Sequence, residues 1–139
     1  MRSLLALFGV GVIQSTASLV AQNVLIERQM VQYVDERSDE ATDLLEEVVN
    51  INSGTMNLTG VRRVGEVFRA ALDDLGFATE WIDGSPFERA GHLVARRSGS
   101  GPRLLLIGHL DTVFEPDSPF QWFQLIDDST AKGPGVVED

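Results

Sequence analysis

The spacing of apolar positions predicts helices in the first half of the chain. Beyond Val24, apolar side chains recur at helical intervals at Ile26, Met30, Tyr33 and Val34. After the acidic stretch Asp35 to Glu40 a second set follows at Ala41, Leu44, Leu45, Val48 and Val49. Such spacing is typical of helices with one apolar face, so we expect one or two amphipathic helices ending near Asn52.

A further helix is expected after the polar segment Asn52 to Thr55, which reads as a loop in which Gly54 is free to take a positive φ. Thr59 can cap this helix and Gly76 can end it. Its inner face would consist of Val61, Val64, Phe68, Ala71, Leu72 and Leu75.

Strand patterns occupy the second half. Phe77 to Asp83 alternates apolar and polar side chains, and Asp83-Gly84 forms a turn. The runs "HLVARR" and "RLLLIG" follow, joined by Ser98 to Gly101 as a hairpin turn. Leu104 to Ile107 is apolar on both faces, as in a central strand covered by helices. Helices followed by strands predict α/β layering.

The last segment predicts shorter features. Phe120 to Leu125 can form another strand, Asp127-Asp128 a turn, and Gly133 to Gly135 a tight loop that leads to Glu138 and Asp139.

The first residues have the pattern of a secretory signal peptide. Met1-Arg2 is followed by the apolar run Leu4 to Ile13 and then by small residues, and we expect cleavage after Ala21 or Ala17. The run is shorter than the roughly 20 apolar residues that span a bilayer. A signal peptide over residues 1–21 predicts a secreted or periplasmic protein with no membrane attachment after cleavage; a buried amphipathic helix is the alternative.

Composition limits the chemistry. At 139 residues the chain suits one domain, and a net charge of −10 argues against a nucleic-acid partner. Because the sequence contains no cysteine, any metal must be bound by histidine and carboxylates.

The end of the predicted central strand carries the candidate site. Ligands bind at the carboxyl ends of strands in open α/β sheets, where Gly108-His109-Leu110-Asp111 lies. If His109 binds a metal through one ring nitrogen, the other needs an acceptor, and Asp111 can supply it. The "GPGVVED" turn can add a further carboxylate ligand. The alternatives are an exposed His-x-Asp loop and a Gly-Pro turn before an acidic surface.

The strings "LLLIGHLDTVF" and "AKGPGVVED" resemble the zinc metallopeptidase family that contains glutamate carboxypeptidases, aminoacylases and succinyl-diaminopimelate desuccinylases. The upstream strings "LLEEVVNINSGTMNLTGV" and "LDDLGFATEWI" agree with this family. The resemblance covers about Asp39 to Asp139 and looks closest to the exported glutamate-carboxypeptidase-like branch. It implies that residues 22–139 are the N-terminal, incomplete portion of a zinc-exopeptidase-like three-layer domain with a mixed, mostly parallel central sheet covered by helices.

The resemblance also implies roles for the site residues. His109 would bind one of two zinc ions, with Asp111 as the catalytic carboxylate that holds its ring. The family pattern Gly-x-Gly-x-x-Asp would place Glu138 in the metal-bridging position. We favour Asp139, reached through one extra residue in the turn, because a glutamate has the longer side chain. The two zinc ions would activate a water that hydrolyses peptide or N-acyl amino acid amide bonds.

The family's general base, remaining zinc ligands and second domain would follow residue 139. We therefore expect this chain alone to be inactive and partly unfolded or prone to aggregation, whereas the complete protein could form a homodimer. His92 has no ligand role in the resemblance and is expected to be structural or on the surface. The alternatives to a hydrolase are a non-enzymatic degenerate fragment, a secreted α/β binding module, or an unrelated secreted α/β domain.

Overall fold

The computed structural model describes residues 10–136, with side chains described from residue 22 onward. The chain divides into two units, residues 1–42 and 43–139. The first unit holds helix α1, Val10–Asp35, and the start of helix α2, Ser38–Val49. The residues of α1 up to 21 overlap the predicted signal peptide, whose cleavage remains a prediction. Among the described residues, no helix is long and apolar enough to cross a membrane.

The predicted helix at Val24 to Val34 is confirmed as part of α1, but its apolar face is not covered. Ile26, Met30 and Val34 are all exposed on α1. The guanidinium of Arg37 lies 4.0 Å from the centre of the Tyr33 ring, so even the aromatic side chain contacts a charged group. Helical periodicity therefore predicted the helix correctly without predicting burial of its apolar face.

The second unit is built on helix α3, Leu58–Asp74. Its core consists of Val61 and Val64 with Val49 from the end of α2. The predicted cap at Thr59 is wrong, because the helix begins one residue before Thr59 and Asn57 caps it. The Asn57 side-chain oxygen accepts a hydrogen bond of 3.1 Å from the amide of Gly60, a donor that the helix itself leaves without a partner.

Gly76 ends α3 as predicted, with a φ of +78°. It is followed by an antiparallel pair of strands, β1 at Ala78–Asp83 and β2 at Gly91–Arg96, and both confirm the sequence prediction. A short 3-10 helix, Ser85–Phe87, connects them. The sheet packs closely on α3, because a β-carbon on Gly65 would lie 2.4 Å from Cζ3 of Trp81.

The predicted strand at "RLLLIG" is wrong, and so is its hairpin with β2. β2 pairs with β1 instead, and the side chains from Leu104 to Ile107 are 79% to 87% exposed. A run that is apolar on both faces needs a strand on each edge and cover on both sides. Among the described residues no such neighbours are formed, so the apolar run lies in an irregular, exposed segment.

The last strands are β3, Gln124–Asp127, and β4, Thr130–Lys132, which form an antiparallel pair around the turn predicted near Asp128. β3 begins later than the predicted strand at Phe120. Within residues 10–136 the sheets are therefore two-stranded and antiparallel, and they do not form a mostly parallel central sheet. The three-layer zinc-exopeptidase-like domain remains a prediction.

Candidate functional site

The segment after α2 pairs with the His-x-Asp segment. The amide of Thr112 donates to the carbonyl oxygen of Ser53 at 2.9 Å, and the amide of Thr55 donates to the carbonyl oxygen of Thr112 at 3.0 Å. These bonds form an isolated parallel bridge between Gly54 and Thr112. The predicted loop is therefore a structural partner of the segment that carries His109 and Asp111.

Side chains add further hydrogen bonds to this pairing, beyond the bridge between Gly54 and Thr112. The Asn52 amide group donates to the carbonyl oxygen of Phe114 at 2.9 Å and to the side-chain oxygen of Gln121 at 2.7 Å. One Glu115 carboxylate oxygen accepts from the amide of Met56 at 2.9 Å. Residues 52–56 and 111–115 are thus joined by both main-chain and side-chain hydrogen bonds.

Gly54 allows the two segments to pair because it has no side chain. The described glycines with positive φ are Gly76, Gly91 and Gly135, so the positive φ expected at Gly54 does not occur. A β-carbon on Gly54 would instead lie 2.6 Å from Oε2 of Glu115, closer than real contacts allow. Glycine is required here because the two segments approach each other closely.

His109 is oriented by Asp111. Its Nδ1 lies 2.6 Å from the main-chain carbonyl oxygen of Asp111 and 3.5 Å from the carboxylate atom Oδ1. Because a carbonyl oxygen only accepts hydrogen bonds, Nδ1 must carry the proton. In the neutral ring Nε2 then has the free lone pair, as a metal ligand requires. The main-chain carbonyl oxygen of Asp111 is nearer to Nδ1 than the carboxylate that the sequence predicted as the acceptor. It is therefore the main hydrogen-bond acceptor of the ring.

The Asp111 carboxylate has a second partner. Oδ2 accepts a hydrogen bond of 2.7 Å from the Thr55 hydroxyl, across 56 positions of sequence. From the sequence, Thr55 is predicted only as part of a loop, because hydrophobic patterning carries no signal for a pairing between two irregular segments. The local composition "SGT" indicates a turn and says nothing about its partner.

The glycine turn lies beside the same site. The Val136 amide donates to the Gly133 carbonyl oxygen at 3.3 Å, and Gly135 has a φ of +76°. A cavity of about 300 Å³ is lined by residues of both segments, among them Ser53, His109, Asp111, Thr112, Pro134 and Gly135. The structure therefore brings the His-x-Asp segment and the turn together. Glu138 and Asp139, the predicted ligands after the turn, lie outside the described residues.

A larger cavity of about 880 Å³ lies along the inner face of α3. His109, Asp111 and Thr55 line part of it, and the rest is mainly apolar, with Val61, Phe68, Ala71, Leu72, Leu75 and Leu93. His92 also borders this cavity, from an exposed position on β2. Pro134 and Gly135 line the 300 Å³ cavity and not this larger one, so the predicted ligand segments meet at the smaller cavity.

The described residues do not by themselves form a zinc site. Zinc takes four protein ligands in structural sites, and three with a water in catalytic sites. His109 can provide one nitrogen ligand, with its second nitrogen already engaged. Within residues 10–136 no three histidine, aspartate or glutamate side chains come close enough to hold a metal. Among these residues His109 could be one zinc ligand, with Asp111 as its orienting partner, and a zinc site would need further ligands.

Sequence comparison gives one informative similarity. The chain is 31% identical over 100 residues to Carboxypeptidase G2 of Pseudomonas sp. (strain RS-16), an alignment that covers 68% of this chain and 23% of that protein. The chain therefore spans about a quarter of the length of this relative. No protein-family model matches the chain. No solved structure matches it either.

This distant and partial similarity supports a relationship to peptidase-type hydrolases of the carboxypeptidase class. Within that class it points at most to the glutamate-carboxypeptidase-like zinc peptidases, of which Carboxypeptidase G2 is the relative found.

Proposed function

We propose that this chain carries the first zinc-ligand segment of an exported, carboxypeptidase-type hydrolase that cleaves peptide or N-acyl amino acid amide bonds. The observation that carries the proposal is the orientation of His109, whose Nδ1 lies against Asp111 at the edge of the cavity, which leaves the lone pair on Nε2. The similarity to Carboxypeptidase G2 supports the same reaction class.

In this proposal His109 holds zinc through Nε2, and Asp111 fixes the ring from the opposite side. Such a partner sets the tautomer of the ligand and raises its basicity. Asp139, or Glu138 in its place, provides a carboxylate ligand after the glycine turn. Bound zinc would polarise the carbonyl group of the substrate and lower the pKa of a water molecule. Further zinc ligands and a general base are needed to complete such a site.

A secreted α/β binding module is the second candidate. It is favoured by the lack of a group of three potential ligands among residues 10–136. It would retain the paired segments and the cavity without hydrolysing a substrate.

The test is an amide-hydrolysis assay of the protein expressed from its natural gene, with zinc and an N-acyl glutamate substrate. We expect hydrolysis that falls at least about 100-fold in His109→Ala, because a metal ligand contributes at least as much as its outer-sphere partners. His92→Ala is the matched control and should keep the wild-type rate. If no hydrolysis is observed, or if both variants hydrolyse at the same rate, the proposed hydrolase function is rejected. The binding module is then the remaining candidate.

A further inference from the structure

We propose that two copies of this chain associate through the exposed apolar segment Leu104 to Ile107, which pairs with the same segment of the second copy as an antiparallel strand. The four side chains are 79% to 87% exposed. The main-chain amide and carbonyl groups of the segment make no hydrogen bond to another residue among 10–136. The proposal is independent of the proposed function, since it involves neither a metal nor a reaction.

The segment has the composition of a strand that pairs with another chain. Its four residues are uncharged aliphatic residues, with no proline or glycine among them. Such a run, with its main-chain donors and acceptors free, is a template for pairing with a further strand. Charged residues and proline usually prevent this at exposed strands, and here Pro102 and Arg103 precede the run without interrupting it.

The exposed surface is large enough for a specific interface between two copies. Four aliphatic side chains at this exposure present on the order of 500 Å² of apolar surface, comparable with the largest patch on a typical monomer. Two copies contribute about 1,000 Å², which reaches the lower limit for a specific interface. We therefore expect a weak dimer with a Kd on the order of 10 µM.

Symmetry and charge favour the antiparallel arrangement. A two-fold interface uses the same surface on both copies. When Leu105 lies opposite Leu106 of the second copy, every side chain of the apolar run faces another apolar side chain. Arg103 then lies opposite Gly108, so the two Arg103 residues are five positions, or about 17 Å, apart along the pair. A parallel pairing in register would place them directly opposite each other, where like charges are destabilising.

The test is sedimentation equilibrium of the 139-residue chain at concentrations from about 1 to 100 µM, which bracket the expected Kd. Leu105→Lys places a charge at the centre of the proposed interface. Leu125→Lys is the matched control, because Leu125 is a leucine 63% exposed on β3, outside the segment. Neither leucine belongs to the buried core of the second unit, so both variants should fold, which circular dichroism checks.

We expect the wild-type chain to be mainly monomeric at the lowest concentration and mainly dimeric at the highest. Leu105→Lys should weaken the dimer at least about 10-fold, because it brings two like charges into the interface. Leu125→Lys should dimerise as the wild-type chain does. Added salt should strengthen the wild-type dimer, because it screens the repulsion between two chains that each carry a net charge of −10.

A mixture of two variants tests the register. Leu106→Glu should weaken the dimer on its own, as Leu105→Lys does. An equal mixture of the two variants should form a heterodimer, because the lysine introduced at position 105 of one copy lies opposite the glutamate introduced at position 106 of the other. Non-specific association of exposed apolar side chains does not give this result.

A wild-type chain that stays monomeric over the whole range would overturn the proposal and leave the segment to a different partner. Open-ended assemblies larger than a dimer would overturn it as well. So would equal effects of Leu105→Lys and Leu125→Lys, or a mixture of Leu105→Lys and Leu106→Glu that remains monomeric.

Discussion

Gly54 lies so close to Glu115 that a β-carbon on the glycine would stand 2.6 Å from the carboxylate atom Oε2 and 2.7 Å from the Glu115 α-carbon. The α-carbon contact matters most, because main-chain atoms cannot move aside as a flexible side chain can. This close approach brings the segment after α2 against the His-x-Asp segment and so builds the candidate site.

Gly54→Ala should separate these segments. We expect the free energy of unfolding to fall by about 1–3 kcal/mol, the usual cost of inserting a carbon into a closely packed place. Urea unfolding followed by tryptophan fluorescence measures the change. Gly99→Ala is the control, because a β-carbon on Gly99 meets nothing within 4 Å. Equal stability of the two variants would contradict the close approach.

Replacing the cap of α3 should distinguish the structure from the sequence prediction. Asn57→Ala removes the acceptor of the Gly60 amide and should lower the free energy of unfolding by about 1 kcal/mol. Thr59→Ala, at the position that the sequence favoured, should have the smaller effect because Thr59 lies inside the helix. The reverse order of the two effects, measured by urea unfolding, would place the cap at Thr59.

An aspartate with a lowered pKa, Asp127, lies at the turn between β3 and β4. Hydrogen bonds from the amide and then the hydroxyl of Ser129 hold the pKa of Asp127 below its ordinary value of 3.8. A pKa that is lower in the folded chain contributes stability above the unfolded value, and this stability is lost as the pH falls through the folded value. A ¹³C NMR titration should therefore show Asp127 ionising below pH 3.8. Ser129→Ala should raise its pKa; an unchanged pKa would show that Ser129 does not stabilise the carboxylate.

The carboxylate after the glycine turn can be identified by a pair of substitutions. We expect Asp139→Asn to weaken zinc binding more than Glu138→Gln does, because the aspartate is the proposed ligand. Calorimetric titration of both variants of the 139-residue chain gives the comparison. A greater loss in Glu138→Gln would assign the ligand role to the glutamate.

Local patterns predicted much of the fold. The spacing of apolar residues correctly indicated α3, alternation correctly indicated β1, and the strand-like run "HLVARR" correctly indicated β2. These signals succeed because each depends on one segment presenting one face to its surroundings. The cap was misplaced by two residues, since both Asn57 and Thr59 can cap a helix and sequence alone does not say which hydroxyl or amide reaches the free N–H.

Longer-range relationships could not be predicted in this way. Leu104 to Ile107 has the composition of a buried strand, but composition reports a tendency to be buried and does not supply the neighbouring strands. The hydrogen bond between Thr55 and Asp111 crosses 56 positions and joins two irregular segments. His109 and Asp111 could be proposed together because they are two residues apart, whereas Thr55 required the structure.

The most direct measurement of the central claim is a calorimetric zinc titration of the 139-residue chain, with His109→Ala and His92→Ala as a matched pair. We predict zinc binding that is lost in His109→Ala and retained in His92→Ala, because of these two histidines it is His109 whose Nδ1 is engaged by Asp111 beside the cavity. No binding by the wild-type chain, or binding that His109→Ala leaves unchanged, would contradict it.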